Sequence, residues 1–164
     1  MPLQRCIFCD VPLEASHLDL PSSRTKEHVF ANWFRALTRS HILKMFTAVP
    51  GSPPVLARKP PFKTLVNTSV CQHCNSGWMS DLELAVSPLF DRLLKGEDIA
   101  GLSEIEIAVL AKWAGKTVAV LSYVTAEPSP VPKQVCMSLH PNSQGIPRMR
   151  VFYCTLQPSL HELS

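Results

Sequence analysis

The organisation of this chain turns on Cys71-Gln72-His73-Cys74-Asn75-Ser76-Gly77-Trp78. Two residues between cysteines let one tight turn aim both sulfurs at a single point, with backbone amides left over to stabilise thiolate charge. The same spacing occurs upstream in Cys6-Ile7-Phe8-Cys9, with residues 10–70, 61 in all, between the two pairs. Together they offer four sulfurs, which predicts one tetrahedral Cys₄ zinc site with S–Zn distances of about 2.3 Å. Such a site is closed to water, so the metal it implies is structural. A redox pair or free thiols are the alternatives, and no thioredoxin-like pattern accompanies either pair. His73 reads as an exposed spacer.

The long interval fits a treble-clef arrangement, in which an N-terminal knuckle is tied to the first turn of a helix with a hairpin and insertions between. Working outward, Phe30, Trp33, Phe34 and Leu37 mark one stripe of a helix from Asn32, with Arg35 and Arg39 on its other face. Leu65-Val66 and Val70 predict a short strand running into Cys71. Pro50, Pro53, Pro54, Pro60 and Pro61 make residues 47–63 an extended loop. Downstream of Cys74 a helix is expected to about Val86. A second should be capped by Ser87, begin at Pro88 and stop at Gly96. Ser103 and Glu106 form a capping-box signature ahead of a long apolar helix ending near Val124. Val135–Leu139 and Arg148–Leu156 alternate as two antiparallel strands would. The expected organisation is α+β: a zinc-stapled module over 1–96 and a helical and β-ribbon extension over 97–164, the two forming separate units or one domain.

With 46% hydrophobic residues the chain can bury a core. Its net charge of +3 is unevenly spread. Residues 1–80 hold nine Lys and Arg against four acids (+5), and residues 81–164 hold seven against nine (−2). A basic half suits a polyanionic partner. The N-terminus, Met1-Pro2-Leu3-Gln4-Arg5, lacks the apolar run of a signal peptide. Glu106, Lys112 and Lys116 interrupt the most apolar stretch, which therefore reads as a buried helix with no membrane association. A cytoplasmic, reducing compartment is expected, where cysteines are metal ligands or free thiols. Cys136, His140 and Cys154 lack a close pair and read as buried thiols and a lone imidazole.

The ordered set Cys6-x-x-Cys9, Glu27-His28, Asn67 and Cys71-x-x-Cys74-Asn75 resembles the HNH (ββα-metal) endonuclease family, across residues 6–83. Asn75-Ser76-Gly77-Trp78-Met79-Ser80-Asp81-Leu82-Glu83 is similar to a phage and bacterial branch of it. The resemblance implies a treble-clef-like ββα-metal module that hydrolyses phosphodiester bonds. It makes His28 the general base, with Glu27 and Asn75 holding a catalytic Mg²⁺ or Mn²⁺. Asn67 would tie the hairpin loop and orient His28. Three positions depart from the family pattern: Glu27 where Asp is usual, Ala31 where Pro is common, and Asn75 where His is often found.

The chemistry suits the residue types. An imidazole with an ordinary pKa of about 6.5 takes a proton from water at neutral pH, and hard oxygen donors suit a hydrated divalent ion. Each residue also has a plainer reading: His28 as a structural histidine, Glu27 as a charge favoured at a helix start, Asn67 as a turn residue, and Asn75 as a helix-entry residue. Arg24, Lys26, Arg58, Lys59 and Lys63, together with Arg35 and Arg39, are the candidate phosphate contacts, DNA being the expected nucleic acid. A non-catalytic zinc module binding nucleic acid or protein is the alternative. A protein partner or a second copy of the chain stays open.

Overall fold

A computed structural model describes residues 4–13, 22–38, 45–47, 55–58, 65–124 and 130–143. Among them the chain is α+β, with long helices and two small antiparallel sheets.

The N-terminal knuckle forms because the chain reverses sharply at Cys6–Cys9. The Cys6 amide donates to the Val11 carbonyl (2.9 Å), the Asp10 amide donates to the Cys6 carbonyl (3.1 Å), and Asp10 adopts φ 61° to close the turn. That left-handed conformation is one Asp tolerates better than most residues. The Ile7 amide then donates to the Ser69 carbonyl at 3.0 Å, which ties the first knuckle to the approach of the second.

Residues 23–29 run antiparallel to residues 65–72. Within this ladder β1 (Glu27–His28) pairs with β4 (Val66–Asn67), with Glu27 opposite Asn67 and His28 opposite Val66. Further bonds extend the pairing at both ends: Val29 to Leu65 (3.0 Å), Thr25 to Val70 (3.1 Å) and Gln72 to Ser23 (2.8 Å), amide to carbonyl in each case. The strand expected at 65–70 is therefore present, and it delivers Cys71 directly to a helix start.

Helix α1 (Asn32–Thr38) follows β1. The 47–63 stretch differs from a plain loop. Backbone pairing joins β2 (Met45–Thr47) to β3 (Val55–Arg58), with a bulge between Met45 and Phe46. Pro50, Pro53 and Pro54 fall between the two strands and Pro60 and Pro61 beyond them, so no proline has to donate to the ladder.

Past Cys71, α2 (Gln72–Cys74) passes through a widened turn at Asn75–Met79, kinked at Gly77, into α3 (Ser80–Leu94). The expected break at Ser87-Pro88 is absent, and α3 carries Pro88 in its interior. Pro88 removes the bond that would reach the carbonyl of Leu84, a residue that is 73% exposed. Gly96 ends the helix as expected, at φ 96°.

The capping box also forms: the Ser103 amide donates to Glu106 (2.7 Å) and the Glu106 amide to the Ser103 hydroxyl (3.3 Å). It opens α4 (Glu104–Val124), which is long and apolar enough to cross a bilayer by length and composition. One face of α4, with Trp113, Lys116, Ala119 and Val120, is buried in the molecule.

Residues 133–138 are a helix, α5 (Lys133–Ser138), which overturns the strand expected at Val135–Leu139. A short apolar run satisfies both periods, and here the three-residue spacing prevails, burying Cys136 and Leu139 on one side. Pro132, at φ −55°, pre-sets the first turn, and its carbonyl accepts from the Val135 and Cys136 amides. The second strand expected at Arg148–Leu156 lies outside the described residues.

Two buried clusters hold these elements. The first gathers Cys6, Ile7, Phe8, Leu13, Val29, Val70 and Met79 with Ala119, Val120, Cys136 and Leu139, so residues on both sides of position 96 share one core. The second is aromatic: Trp33, Phe34 and Phe90 surround Trp113, with the Phe90 and Trp113 rings 4.8 Å apart. Each such pair adds about 0.5–1.5 kcal/mol beyond its buried area.

Candidate metal centre and adjoining pocket

The four sulfurs of Cys6, Cys9, Cys71 and Cys74 lie within 4.8 Å of one another. Ligands about 2.3 Å from one central ion stand about 3.8 Å apart at the corners of a tetrahedron. The Cys6–Cys74 and Cys9–Cys71 separations are 3.9 and 3.6 Å. The donor set and spacing fit a structural zinc ion, and this group could hold a metal such as zinc.

Three of the four cysteines are fully buried, and that burial is costly for free thiolates. Hydrogen bonds from Cys71 and Cys74 hold Cys6 far below the ordinary thiol range. The same contact with Cys6 pushes Cys71 up to about 12 and raises Cys74 further. The Cys71 sulfur also accepts from the Cys74 amide at 3.5 Å, and the Trp78 ring meets Phe8 edge-on at 5.2 Å beneath the cluster. His73 is exposed, as a spacer would be.

Beside this centre lies a cavity of about 350 Å³ lined by Glu27, His28, Asn75, Ser76, Ser80 and Glu83, among others. Local structure accounts for each. Glu27 and His28 make up β1 and both line the cavity, Glu27 half-buried and His28 exposed. Asn75 follows Cys74 immediately, and its amide donates to the Cys71 carbonyl at 3.0 Å. The structure thus brings Glu27, His28 and Asn75 to one pocket. Among the described residues no side chain hydrogen-bonds the His28 imidazole.

Asn67 sits one layer deeper, 2% exposed. Its Oδ1 accepts from the Ser69 amide at 2.5 Å, closing its own loop, and its Nδ2 donates to the Val120 carbonyl at 3.1 Å. Its reach toward His28 is through the backbone of the paired strands.

Two residues missed from sequence complete the surroundings: Glu83, which lines the cavity, and Lys116, buried against Glu27 and Glu83. Glu83, one turn beyond Met79, accepts from both tryptophan indoles: Trp33 Nε1 at 2.8 Å on Oε2 and Trp113 Nε1 at 3.0 Å on Oε1. Lys116, fully buried, donates to the same Oε1 and stands 3.6 Å from Glu27 Oε1. Burial pushes Glu27 up to about 7, opposed by Lys116 and reinforced by the neighbouring Glu83 charge. The signal for Lys116 was its presence mid-way along an apolar helix, where a buried amine requires acidic partners.

Of the candidate phosphate contacts, Lys26 is exposed and Arg24 half-buried, its backbone bridged to Cys71 and its Nε enclosed without a hydrogen-bond partner. Arg58 ends β3, opposite Met45 in the register. Lys59, Lys63 and Arg39 lie outside the described residues. Cys136 is a buried free thiol, raised to about 11 by desolvation, and Cys154 lies outside the described residues. Among those described, the only group of cysteine, histidine and acidic residues able to hold a metal is the four-cysteine one.

The fold and site define an α+β protein built around a candidate Cys₄ metal centre with a polar cavity beside it. Comparison with family models, with curated proteins and with solved structures returns no significant match.

Proposed function

We propose that this chain is an HNH-type endonuclease that hydrolyses DNA phosphodiester bonds, with a treble-clef-like ββα-metal module and His28 as general base. The observation that carries this reading is the shared cavity. Glu27 and His28 from the strand and Asn75 from the helix start line one space beside the cysteine cluster, although 46 residues separate His28 from Asn75 in sequence, positions 29–74. Zinc held by Cys6, Cys9, Cys71 and Cys74 would fix Asn75 through the adjacent Cys74.

The donors fit a hard divalent ion: a carboxylate from Glu27 and a carboxamide oxygen from Asn75, with room for waters and a phosphate oxygen. When bound, Mg²⁺ or Mn²⁺ neutralises charge on the scissile phosphate and the leaving oxygen. The chain's own residues do the rest. His28, exposed and unencumbered, accepts the proton of the attacking water. Asn67 secures the loop that follows β4 and so the strand pair that carries His28. Arg24 and Lys26 shortly precede the base in sequence, and with Arg58, Lys59 and Lys63 they are the residues that would contact phosphate. Lys116, paired with two acids at the centre of α4, supports reading that helix as part of a core, in keeping with a cytoplasmic protein without a membrane span.

The test is nicking of supercoiled plasmid by wild type and His28→Ala, with Mg²⁺ or Mn²⁺ and with EDTA. Metal-dependent nicking by wild type and its loss in the variant support the reading. Equal nicking by both proteins sinks His28 as base, and DNA binding without cutting points to a non-catalytic zinc module.

A further inference from the structure

The cavity contains more charge than the proposed chemistry uses. Glu83 lines it, yet both of its oxygens are committed, to Trp33, Trp113 and Lys116. A carboxylate saturated by three donors has little left to offer an ion. Glu27 differs: among the described residues its cationic neighbour is Lys116 Nζ, 3.6 Å away and too long for a close hydrogen bond, so its carboxylate is less committed than that of Glu83. Lys116 itself has no solvent contact and cannot reach a substrate.

We infer that Lys116 is a built-in counter-cation, anchored by Glu83, that limits the pocket to one net negative charge and so keeps its affinity for a divalent ion low in the free protein. This rests on the reading of the pocket as a metal site. Two carboxylates and one ammonium sum to −1. A divalent ion over that charge retains positive charge to meet a phosphodiester, whereas a −2 pocket would neutralise it. Lys116 acts through Glu27 and is a positioning residue, not a catalytic one. Its like charge opposes the incoming ion, and in a partly desolvated pocket one unit of charge at a few ångströms changes affinity by about tenfold or more.

The experiment is Mn²⁺ titration of the zinc-loaded full chain, followed by the electron paramagnetic resonance of free Mn²⁺, at about pH 8, above the elevated value of Glu27. Lys116→Met makes the pocket −2, Glu83→Gln makes it 0, and the double variant restores −1. The expected order is about tenfold tighter binding for Lys116→Met, about tenfold weaker for Glu83→Gln, and a return to near wild type for the double variant. If Lys116→Met does not fold, the double variant against Glu83→Gln carries the test, because those two chains differ only at position 116. Equal affinities across the series, or weaker binding in a folded Lys116→Met, overturn the inference. Glu27→Gln separates the two levels. Where Mn²⁺ binding depends on Glu27 but ignores the charge series, only the role of Lys116 fails. Where binding survives Glu27→Gln, or no chain in the series binds Mn²⁺, the metal-site reading fails with it.

Discussion

Removing the metal from the four-cysteine cluster should unfold the half of the molecule that carries the pocket. The sulfur separations of 3.9 and 3.6 Å already match the roughly 3.8 Å edge of a zinc tetrahedron, so little rearrangement is needed to bind the ion. A structural zinc site of this type contributes about 10–16 kcal/mol at neutral pH. That equals or exceeds the whole net stability of an ordinary domain, about 5–15 kcal/mol. The core around the cluster (Ile7, Phe8, Leu13, Val70 and Met79) is attached through the two knuckles and loses its frame when they part. The assay is thermal unfolding followed by circular dichroism, with and without a strong chelator, beside zinc analysis of the purified chain. One zinc per chain and loss of the cooperative transition on chelation or in Cys74→Ser are expected. Cys136→Ser, outside the cluster, should retain the zinc. Because protons compete with the ion for sulfur, zinc should be lost as pH falls, not as it rises. A zinc-free preparation that melts like the loaded one would refute the argument.

Other outcomes follow from the pocket and its surroundings. Trp113→Phe keeps the aromatic packing but removes a hydrogen bond to the Glu83 carboxylate, which should cost about 1.5–3 kcal/mol in urea unfolding; an unchanged midpoint would count against the network. Glu27 is raised to about 7 from 4.5, so the folded state holds its proton more tightly than the unfolded chain does. Its contribution is fully present below pH 4.5 and is lost as pH rises through about 7, on the order of 3 kcal/mol in all. Stability of Glu27→Gln relative to wild type, measured without added Mg²⁺ or Mn²⁺, should therefore rise across that window, and a flat difference would show that burial does not set this group. Cys136 should resist iodoacetamide in the folded chain and react on denaturation, as mass spectrometry would reveal. If DNA is the ligand, Lys26→Ala should lower the log–log salt slope of binding by about 0.9 without changing sequence preference.

Much of the site was legible because its spacing is local or its order is distinctive. Two Cys-x-x-Cys turns announce their own geometry, and the cluster formed as the spacing required. The helix over 104–124 and its Ser103/Glu106 cap were equally plain, since a capping box needs only neighbours in sequence. Three elements went otherwise for identifiable reasons. Pro88 lies inside a helix, and Leu84, whose carbonyl loses its partner there, is on the exposed side. The 135–139 run is helical because Pro132 starts it and the core accepts Cys136 and Leu139 from one side. Met45–Thr47 and Val55–Arg58 pair as strands because no proline falls within either.

Residue order alone supplies the donor chemistry: four sulfurs at ligand spacing, an imidazole, a carboxylate and a carboxamide in a set order. That Glu27, His28 and Asn75 share one cavity comes from folding, because it depends on the 23–29 segment pairing with 65–72 across a long interval. The fold alone revealed Glu83 as a charged wall of that cavity, with Lys116 buried against it. A helix periodicity shows which residues share a face, but whether a buried lysine meets two carboxylates depends on which helix packs against which strand.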